Sequence, residues 1–308
     1  MILAIIDCGT NTFNLLIVNI NGQQYSKVFN TRVAVKLGEG AINQGFIAPI
    51  PFNRGITALA QFKTHLINYN VQKTMAFATS AIRDAKNGQE FVTTVKHNFN
   101  IDISIIDGNR EAELIYLGNK EASKLNSNTA LIMDIGGGST EFILANGYQI
   151  FWKQSFLLGA ARLLEMFTIS NPITQPEIET INLYLTQQLQ PLFKAIALFP
   201  TTQLIGSSGA FDSIIEMIHG ELNGEELVKE KICYTISMLD YETVAHLVLK
   251  STLSERKNIK GLIPMRFDMI VISCLLINFI LKSFSINSLQ VSTYSLKEGA
   301  LVEFINNK

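Results

Sequence analysis

Cysteine is scarce in this chain, which has 308 residues and three cysteines, Cys8, Cys233 and Cys274. They lie far apart, no CxxC pair occurs, and the histidines do not cluster. This pattern argues against a disulfide framework and against a zinc site built from cysteine and histidine. We therefore expect a reducing compartment, the cytoplasm, and we interpret Cys8 as a small buried filler.

An excess of charge of one sign is also lacking, because the chain has 25 Lys and Arg residues and 26 Asp and Glu residues. The lysines are dispersed, so we expect no nucleic-acid partner and no membrane partner. Asp7 interrupts the apolar N-terminus too early for a signal peptide. The most apolar segment, Met269 to Leu281, has about half to two-thirds of the length needed to span a bilayer. It is interpreted as a buried core helix.

Two glycine-rich loops are present about 130 residues apart, DCGTNTFNLL from Asp7 and DIGGGSTEFIL from Asp134. Each follows an apolar run and leads into a β-rich run, which predicts a strand, a tight turn and a second strand. Glycine lets backbone N–H groups approach an anion closely, and hydroxyl side chains add donors. We predict that phosphate is bound by Gly9, Thr10, Asn11 and Thr12 of the first loop and by Gly136, Gly137, Gly138, Ser139 and Thr140 of the second.

The leading aspartates cannot bind phosphate directly, because like charges repel. Asp7 and Asp134 are therefore predicted to hold a divalent cation between carboxylate and phosphate. Either loop alone is more often an ordinary hairpin turn. As a pair at this spacing, the loops favour a phosphate cleft between two similar halves of the protein.

The length of the chain fits two domains of about 120 to 190 residues each. In each half, three strands precede helices and further strands, which indicates an α/β fold with mixed sheets. The polar run from Ser123 to Asn128 is the best candidate for a crossover, so we predict domains at residues 1–124 and 125–308. One continuous helix is predicted from about Gln175 to Ala197.

Two further segments hold residues suited to phosphate binding. FATSAIRDAKNG places Arg83 after a strand end, where open α/β sheets bind ligands and where a guanidinium can grip phosphate with two N–H bonds. The alternative is an arginine that only caps a helix. GSSGAFDSI lets a base, a ribose or another phosphate approach Gly206, Ser208 and Gly209, although a plain N-cap turn explains this segment almost as well.

IIDGNREAELIYLG carries Glu111 and Glu113 just after a predicted strand and turn. Hydrolysis of a phosphoanhydride needs a carboxylate that orients and deprotonates a water without occupying the phosphate site. A glutamate at a helix N-terminus is also simply favourable to the helix dipole. The residues alone do not choose between Glu111 and Glu113.

These segments resemble the exopolyphosphatase and guanosine pentaphosphate phosphohydrolase (Ppx/GppA) family, within the actin, Hsp70 and sugar-kinase superfamily. The resemblance follows the family's order over nearly the whole chain. It is carried by DCGTNTFNLLI, ATSAIRDAKNG, IIDGNREAELIYLG, IMDIGGGSTEFIL, GSSGAFDSI, ERKNIKGLIPMRFDMI and STYSLKEGAL.

The resemblance implies two RNase H-like lobes with the active site in the cleft between them. It also implies that the last helix, at about residues 296–308, packs back on the first lobe. Glu111 is implied as the catalytic base, since it falls on the second glutamate of the family's GNEEA motif. The resemblance assigns Mg²⁺, with Mn²⁺ as the alternative, to Asp134, phosphate to Arg83 and both loops, and support of metal or water to Glu141.

Three positions depart from the family pattern. Arg110 replaces the first glutamate of the GNEEA motif, Glu113 stands where arginine is common, and Asn14 stands where His or Arg is frequent. We expect these changes to rearrange the charge around the base. The chain also resembles a short two-domain form of the family, and such a form is expected to hold very long polymers less well.

We therefore predict a Mg²⁺-dependent hydrolase that releases terminal phosphate from inorganic polyphosphate, from guanosine pentaphosphate, or from both. One alternative is an acceptor-dependent kinase of the same superfamily. Another is a non-catalytic sensor that binds guanosine tetra- or pentaphosphate. The substrate preference and the oligomeric state, a homodimer included, stay open.

Overall fold

The computed structural model describes residues 1–224 and 231–307. Two mixed β-sheets form the centres of two lobes, and helices cover both faces of each sheet. Residue 308, the end of the predicted last helix, lies outside the described residues. The predicted domain boundary between residues 124 and 125 stays a prediction.

The first sheet has the strand order β3-β2-β1-β4-β5. The first three strands form an antiparallel meander, and β4 and β5 run parallel to β1. The strands are β1 (Ile2–Cys8), β2 (Thr12–Asn21), β3 (Gln24–Ala34), β4 (Lys73–Ala78) and β5 (Ile103–Ile105).

The second sheet has the strand order β10-β11-β9-β6-β7-β8 and repeats the arrangement, with a meander followed by strands parallel to the first. An additional antiparallel strand, β10, forms its far edge. The strands are β6 (Ala130–Ile135), β7 (Thr140–Ala145), β8 (Ile150–Phe156), β9 (Gln203–Ser207), β10 (Cys233–Ile236) and β11 (Ser288–Ser292).

Twelve α-helices lie in the described part of the chain. In the first half they are α1 (Pro49–Asn68), α2 (Ser80–Arg83), α3 (Gly88–Phe99) and α4 (Gly108–Ser123). In the second half they are α5 (Ala160–Met166), α6 (Gln175–Gln188), α7 (Gln190–Leu198), α8 (Gly209–Met217), α9 (Met238–Lys250), α10 (Leu253–Arg256), α11 (Ile270–Ser283) and α12 (Leu296–Asn306).

The central strands are apolar on both faces because each sheet is covered on both sides. Along β1, Ala4 and Ile6 pack into the outer core of the first lobe, while Leu3 and Ile5 face a core between the sheets. Helices α4 and α12 fill that shared core and touch closely, since a Cβ on Gly299 would lie 1.7 Å from Leu114 O. Helix α12 also contacts β1, although it follows the second sheet in the chain.

The prediction of one helix from Gln175 to Ala197 is wrong, because α6 ends at Gln188 and α7 begins at Gln190. Pro191 lacks an N–H group and its ring crowds the preceding turn, so a continuous helix is interrupted there. The apolar segment that begins at Met269 forms the buried helix α11, as predicted. Every helix within residues 1–224 and 231–307 is too short or too polar to cross a lipid bilayer.

Candidate active site

The two glycine-rich loops make the same turn at equivalent places in their sheets. Each joins the first two strands of its meander, and the predicted strand-turn-strand pattern is present in both. Gly9 N donates to Thr12 O over 3.1 Å, and Gly136 N donates to Ser139 O over 3.0 Å. A Cβ on either glycine would lie 2.9 Å from that carbonyl oxygen, so neither turn accepts a side chain without a shift.

The loops meet in the gap between the sheets, where a Cβ on Gly138 would lie 2.6 Å from Thr10 Oγ1. A cavity of about 70 Å³, here called the loop cavity, lies against both loops. Of the predicted phosphate-binding loop residues, Thr140 does not line it, because the hydroxyl of Thr140 donates to Leu158 O. The loop cavity is lined by Asp7, Gly9, Thr10, Asn11, Thr12, Asn14, Thr79, Glu111, Ile115, Asp134, Ile135, Gly136, Gly137, Gly138, Ser139, Ser208, Arg266, Ser295 and Leu296.

The two leading aspartates lie at the ends of β1 and β6 and both face the loop cavity. Asp134 is 5% exposed, and its Oδ2 accepts hydrogen bonds from Ser207 over 2.7 Å and from Ser295 over 2.5 Å. Burial raises the pKa of Asp134, and these hydroxyl donors oppose the rise. Asp7 accepts from Asn14 Nδ2 over 3.1 Å. Burial raises the pKa of Asp7 to about 6 against the opposing effect of Lys297.

Glu111 lies in the first turn of α4 and lines the loop cavity, whereas Glu113 does not. Position therefore favours Glu111 over Glu113, and its role as the base stays a prediction. Glu111 is 7% exposed, and Arg83 Nη1 donates to its Oε2 over 2.7 Å. Burial, and then the charge of Glu141, raise the pKa of Glu111 well above its ordinary value, with Arg83 opposing.

Arg83 does not line the loop cavity but lies behind Glu111. Its Nε donates to Asp84 Oδ1 over 3.3 Å, and its Nη1 also donates to Ile106 O over 3.3 Å. The observed contacts orient the predicted base, and the predicted phosphate contact of Arg83 stays a prediction.

Glu141 pairs with Asp134 across the β6 and β7 strands and is 1% exposed. Its Oε1 accepts from Ser155 Oγ over 2.6 Å. Burial, and then the charge of Asp134, raise the pKa of Glu141 to about 7. Glu141 does not line the loop cavity. It lies beside Asp134, so its predicted support of a metal or a water would act through that neighbour.

The segment from the end of β9 to the start of α8 contributes fewer ligand-facing residues than the sequence predicts. Gly206 lies outside the cavity, and a Cβ there would lie 2.1 Å from the ring of Phe211, so packing accounts for this glycine. Ser208 lines the loop cavity and begins α8 with a positive φ of 73°. Gly209 makes room for Arg266, since a Cβ there would lie 1.5 Å from Arg266 Nη2.

A larger cleft of about 430 Å³, here called the outer cleft, continues from the loop cavity and shares Asp7, Ser208 and Arg266 with it. Among the residues that the structure describes, its lining has five positive and three negative side chains. The cations are Lys27, Arg32, Lys231, Arg266 and Lys297, and the acids are Asp7, Asp212 and Glu298.

Arg266 and Lys297 are functional candidates that sequence reasoning missed. Within the described residues, the buried Arg266 Nε has no hydrogen-bond partner. Burial lowers the pKa of Arg266 to about 10, so the guanidinium is still charged near neutral pH. Both residues fall in segments that carry the family resemblance, ERKNIKGLIPMRFDMI and STYSLKEGAL, but no local pattern shows that these segments reach the loops.

Arg110 and Glu113, expected to rearrange charge around the base, point away from the loop cavity. Arg110 forms an ion pair with Glu303 of α12, and Glu113 accepts from Lys153 Nζ over 3.0 Å. Asn14 does line the loop cavity. Of the three departures from the family pattern, Asn14 alone changes the surface that a ligand meets.

A divalent cation fits the chemistry of the two aspartates. Mg²⁺ takes one or two carboxylates, several waters and substrate phosphates, and hydrogen-bonded carboxylates are held in place for a metal. Burial raises the pKa of both carboxyl groups, and a bound cation would favour their ionised forms. Within residues 1–224 and 231–307, no three His, Cys, Asp or Glu side chains are placed to hold a metal by themselves.

The sequence model of the Ppx/GppA phosphatase family matches residues 16–308. The crystal structure of an exopolyphosphatase from Cytophaga hutchinsonii is 39% identical, with a TM-score of 0.97 over 100% of this chain and 98% of that chain. The crystal structure of the Aquifex aeolicus Ppx/GppA family member is 24% identical, with a TM-score of 0.82 over 100% of this chain and 98% of that chain.

A bifunctional 3-dehydroquinate synthase/phosphatase of Fusobacterium nucleatum is 28% identical over 318 aligned positions. The match covers 99% of this chain and 47% of that protein, so the chain spans about half of that relative's length. The predicted fold is confirmed: two RNase H-like α/β lobes, each built on a mixed sheet, enclose a cleft.

Proposed function

Because the chain belongs to the Ppx/GppA phosphatase family, we propose that it is a phosphoanhydride hydrolase that releases orthophosphate from the end of inorganic polyphosphate. The exopolyphosphatase from Cytophaga hutchinsonii supports this substrate class. The observation that carries the proposal is the position of Glu111, which faces the loop cavity beside both glycine-rich loops. The cavity accepts a group the size of a terminal phosphate, and a carboxylate stands at its wall.

In this mechanism, the backbone N–H groups and hydroxyls of the two loops hold the terminal phosphoryl group. Glu111 accepts a proton from a water whose oxygen attacks the terminal phosphorus. The bond from that phosphorus to the bridging oxygen breaks, and the shortened chain leaves with the electron pair. A carboxyl group with a raised pKa is a stronger base near neutral pH than an exposed glutamate. Arg83 keeps Glu111 in place.

We propose that Asp134 and Asp7 hold Mg²⁺, with Mn²⁺ as a substitute. The ion would supply positive charge to the transferring phosphoryl group. Ser207 and Ser295 fix the Asp134 carboxylate, and Asn14 fixes that of Asp7. Glu141, directly across from Asp134, is proposed to support the cation or its water.

The outer cleft supports a polyanionic substrate longer than one phosphate. Lys27, Arg32 and Lys231 lie along it beyond Arg266, where further phosphates of a chain would follow the terminal one. We propose guanosine pentaphosphate as a second substrate, because the same cleft has volume for a nucleoside and charge for its other phosphates. Arg110 and Glu113 form ion pairs away from Glu111, so these two departures from the family pattern leave the proposed base in place.

The proposal is tested by phosphate release from long polyphosphate, short polyphosphate, guanosine pentaphosphate and ATP, with Mg²⁺ and without any acceptor. Polyphosphate should yield orthophosphate, and excess EDTA should stop the release. Glu111→Gln should lower the rate by about 10² or more, the scale of a lost general base, while substrate binding persists. Glu113→Gln is the matched control, because it changes a carboxylate two residues away that does not face the cavity.

Two results would contradict the proposal. Turnover that appears only with an acceptor would indicate the kinase, and tight nucleotide binding with no phosphate release from any substrate would indicate the sensor. A rate for Glu111→Gln close to that of the parent protein would remove Glu111 from the mechanism.

A further inference from the structure

Arg162 is a charged residue in a place where charge is costly. It is 7% exposed and lies near the start of α5, the short helix that follows β8. A buried guanidinium is tolerated only when its donors are satisfied. Its Nε donates to Gly138 O of the second loop over 2.8 Å, and its Nη1 donates to Ile42 O over 3.2 Å.

The guanidinium of Arg162 thereby joins the two lobes. Gly138 belongs to the loop of the second sheet, whereas Ile42, Ser80 and Asp84 follow strands of the first. Nη2 of Arg162 donates to Asp84 Oδ2 over 3.2 Å and to Ser80 Oγ over 3.5 Å. One side chain therefore contacts a phosphate loop of one lobe and an acidic side chain of the other.

The chain of contacts continues from Asp84 to the predicted base. Asp84 uses one oxygen for Arg162 and the other for Arg83 Nε, at 3.3 Å. Arg83 then donates through Nη1 to Glu111 at 2.7 Å. Asp84 is thus shared by two arginines, and Ser80 Oγ also donates to its Oδ2 over 2.8 Å.

A second pair of hydrogen bonds from α5 also joins the two lobes but does not involve Glu111. Glu165 accepts from the backbone N–H groups of Gly40, at 3.1 Å, and Asn43, at 3.4 Å. Neither of these residues contacts Arg83 or Glu111. Asn43 does contact Arg162, since its Nδ2 donates to Arg162 O over 3.1 Å. Glu165 therefore provides a comparison on the same helix and against the same partner lobe, without a direct contact to Asp84, Arg83 or Glu111.

We propose that Arg162 is an interlobe positioning residue, which holds the second loop and, through Asp84 and Arg83, sets the orientation of Glu111. This proposal rests on the proposed role of Glu111 as base. When the lobes are together, the loop that holds the phosphate and the carboxylate that directs water are fixed by one guanidinium. When they separate, Asp84 loses one of its two arginines and Glu111 loses its alignment.

The test is a double-mutant cycle on polyphosphate hydrolysis with Arg162→Met and Glu111→Gln. Arg162→Met should lower kcat by about 10- to 100-fold, the scale of a misplaced catalytic group, with a smaller change in KM. In the Glu111→Gln background the same substitution should lower kcat by a clearly smaller factor, because only its support of the second loop is then left to be lost. Glu165→Gln should stay within about 3-fold of the parent protein.

The outcomes separate the two proposals. If Glu111→Gln alone is nearly as active as the parent protein, the proposed function of Glu111 fails. If Glu111→Gln is slow and Arg162→Met lowers its rate by the same factor as in the parent protein, the positioning role fails. Should Arg162→Met not fold, Arg162→Lys enters the same cycle, because lysine keeps the charge near Asp84 but cannot bind Gly138 O and Ile42 O at once. Equal kcat for Arg162→Lys and the parent protein would likewise overturn the role of the planar group.

Discussion

The two phosphate loops make one turn but are held from behind in different ways. Behind the first loop, backbone N–H groups of residues 35–38 donate to the carbonyls of Thr10 and Asn11. Behind the second, the first N–H groups of α5 donate to the carbonyls of Gly136 and Gly137. In both cases the supporting segment donates backbone N–H groups to carbonyl oxygens of the loop.

The difference lies in what the support itself contacts. The segment at residues 35–38 belongs to the same lobe as the first loop, so that loop is held within its own lobe. Helix α5 also carries Arg162 and Glu165, which bind the opposite lobe. The support of the second loop is therefore bound directly to the opposite lobe by side chains of its own helix, whereas residues 35–38 hold the first loop from within its lobe.

The largest expected effect compares the two aspartates. Asp134→Asn should lower kcat/KM by about 10² or more and raise the Mg²⁺ concentration needed for activity, because an amide is a poor ligand for a hard cation. Asp7→Asn should cost less, since Asp7 is more exposed and is held by one amide donor, whereas two hydroxyls hold Asp134. Mg²⁺ titrations of both variants measure the difference, and a larger loss for Asp7→Asn would reverse the assigned asymmetry.

A second prediction concerns the supports of the loops. A Cβ on Gly159, at the start of α5, would lie 2.4 Å from backbone atoms of Gly137 and Gly138, so Gly159→Ala must displace the second loop. We expect kcat/KM to fall by about 10- to 100-fold. Gly38→Ala is the control behind the first loop, where the new Cβ meets the side-chain atoms of Ile42 and Thr10 at 2.9 Å, which can shift. Equal losses in the two variants would show that the supports do not differ.

A third prediction concerns Arg83, which belongs to the first lobe and contacts the base. Arg83→Lys should lower kcat by about 10-fold, because lysine keeps the charge but cannot bind Asp84, Ile106 and Glu111 together. Lys96→Met is a suitable control, since Lys96 pairs with the exposed Asp102 far from the loops. Steady-state kinetics on short polyphosphate would show the effect, and an unchanged kcat would contradict it.

The smallest effect is on stability of the metal-free protein as a function of pH. Burial, and then Asp134, raise the folded pKa of Glu141 to about 7, above its ordinary value of 4.5. The folded state therefore binds this proton more tightly, so the stabilising contribution is full below about pH 4.5 and is lost as pH rises through 7. For Asp7 the corresponding window runs from 3.8 to about 6.

Glu141→Gln removes this titration. In EDTA, its free energy of unfolding should rise relative to the parent protein by on the order of 1–3 kcal/mol between pH 4.5 and 7. Denaturant unfolding at a series of pH values measures the change, and Asp7→Asn should show its own change at lower pH. A difference that is constant with pH would mean that Glu141 is not perturbed by burial.

The loops themselves could be predicted because their signals are local. An apolar run, an aspartate, glycines and a second apolar run predict a strand, a turn and a strand, and β1, β2, β6 and β7 have this form. The long apolar run at Met269 to Leu281 similarly predicted a buried helix. The helix prediction failed near Pro191, because the apolar periodicity continues from α6 into α7 and does not show the break between them.

Side chains that meet across the fold could not be predicted from their own neighbourhoods. Thr140 and Gly206 occur in phosphate-loop sequences, yet one bonds Leu158 O and the other accommodates a phenylalanine ring. Arg266 lies in a segment whose pattern gives no sign of the cavity that it lines. Such contacts are decided by the packing of elements that are distant in the chain, and the spacing of residues in the sequence does not predict them.

The sequence by itself determined the duplicated loops with their aspartates, and the family resemblance pointed to Glu111, because these depend on short segments of chain. Tertiary structure alone decided that Glu111 faces the cavity while Glu113 does not, since the rotation of α4 against both sheets sets which carboxylate points inward. It also brought Ser295 to Asp134, 161 residues away in the chain, through the packing of α12 on α4. Burial in the shared core fixes that packing, and with it the carboxylates of the site.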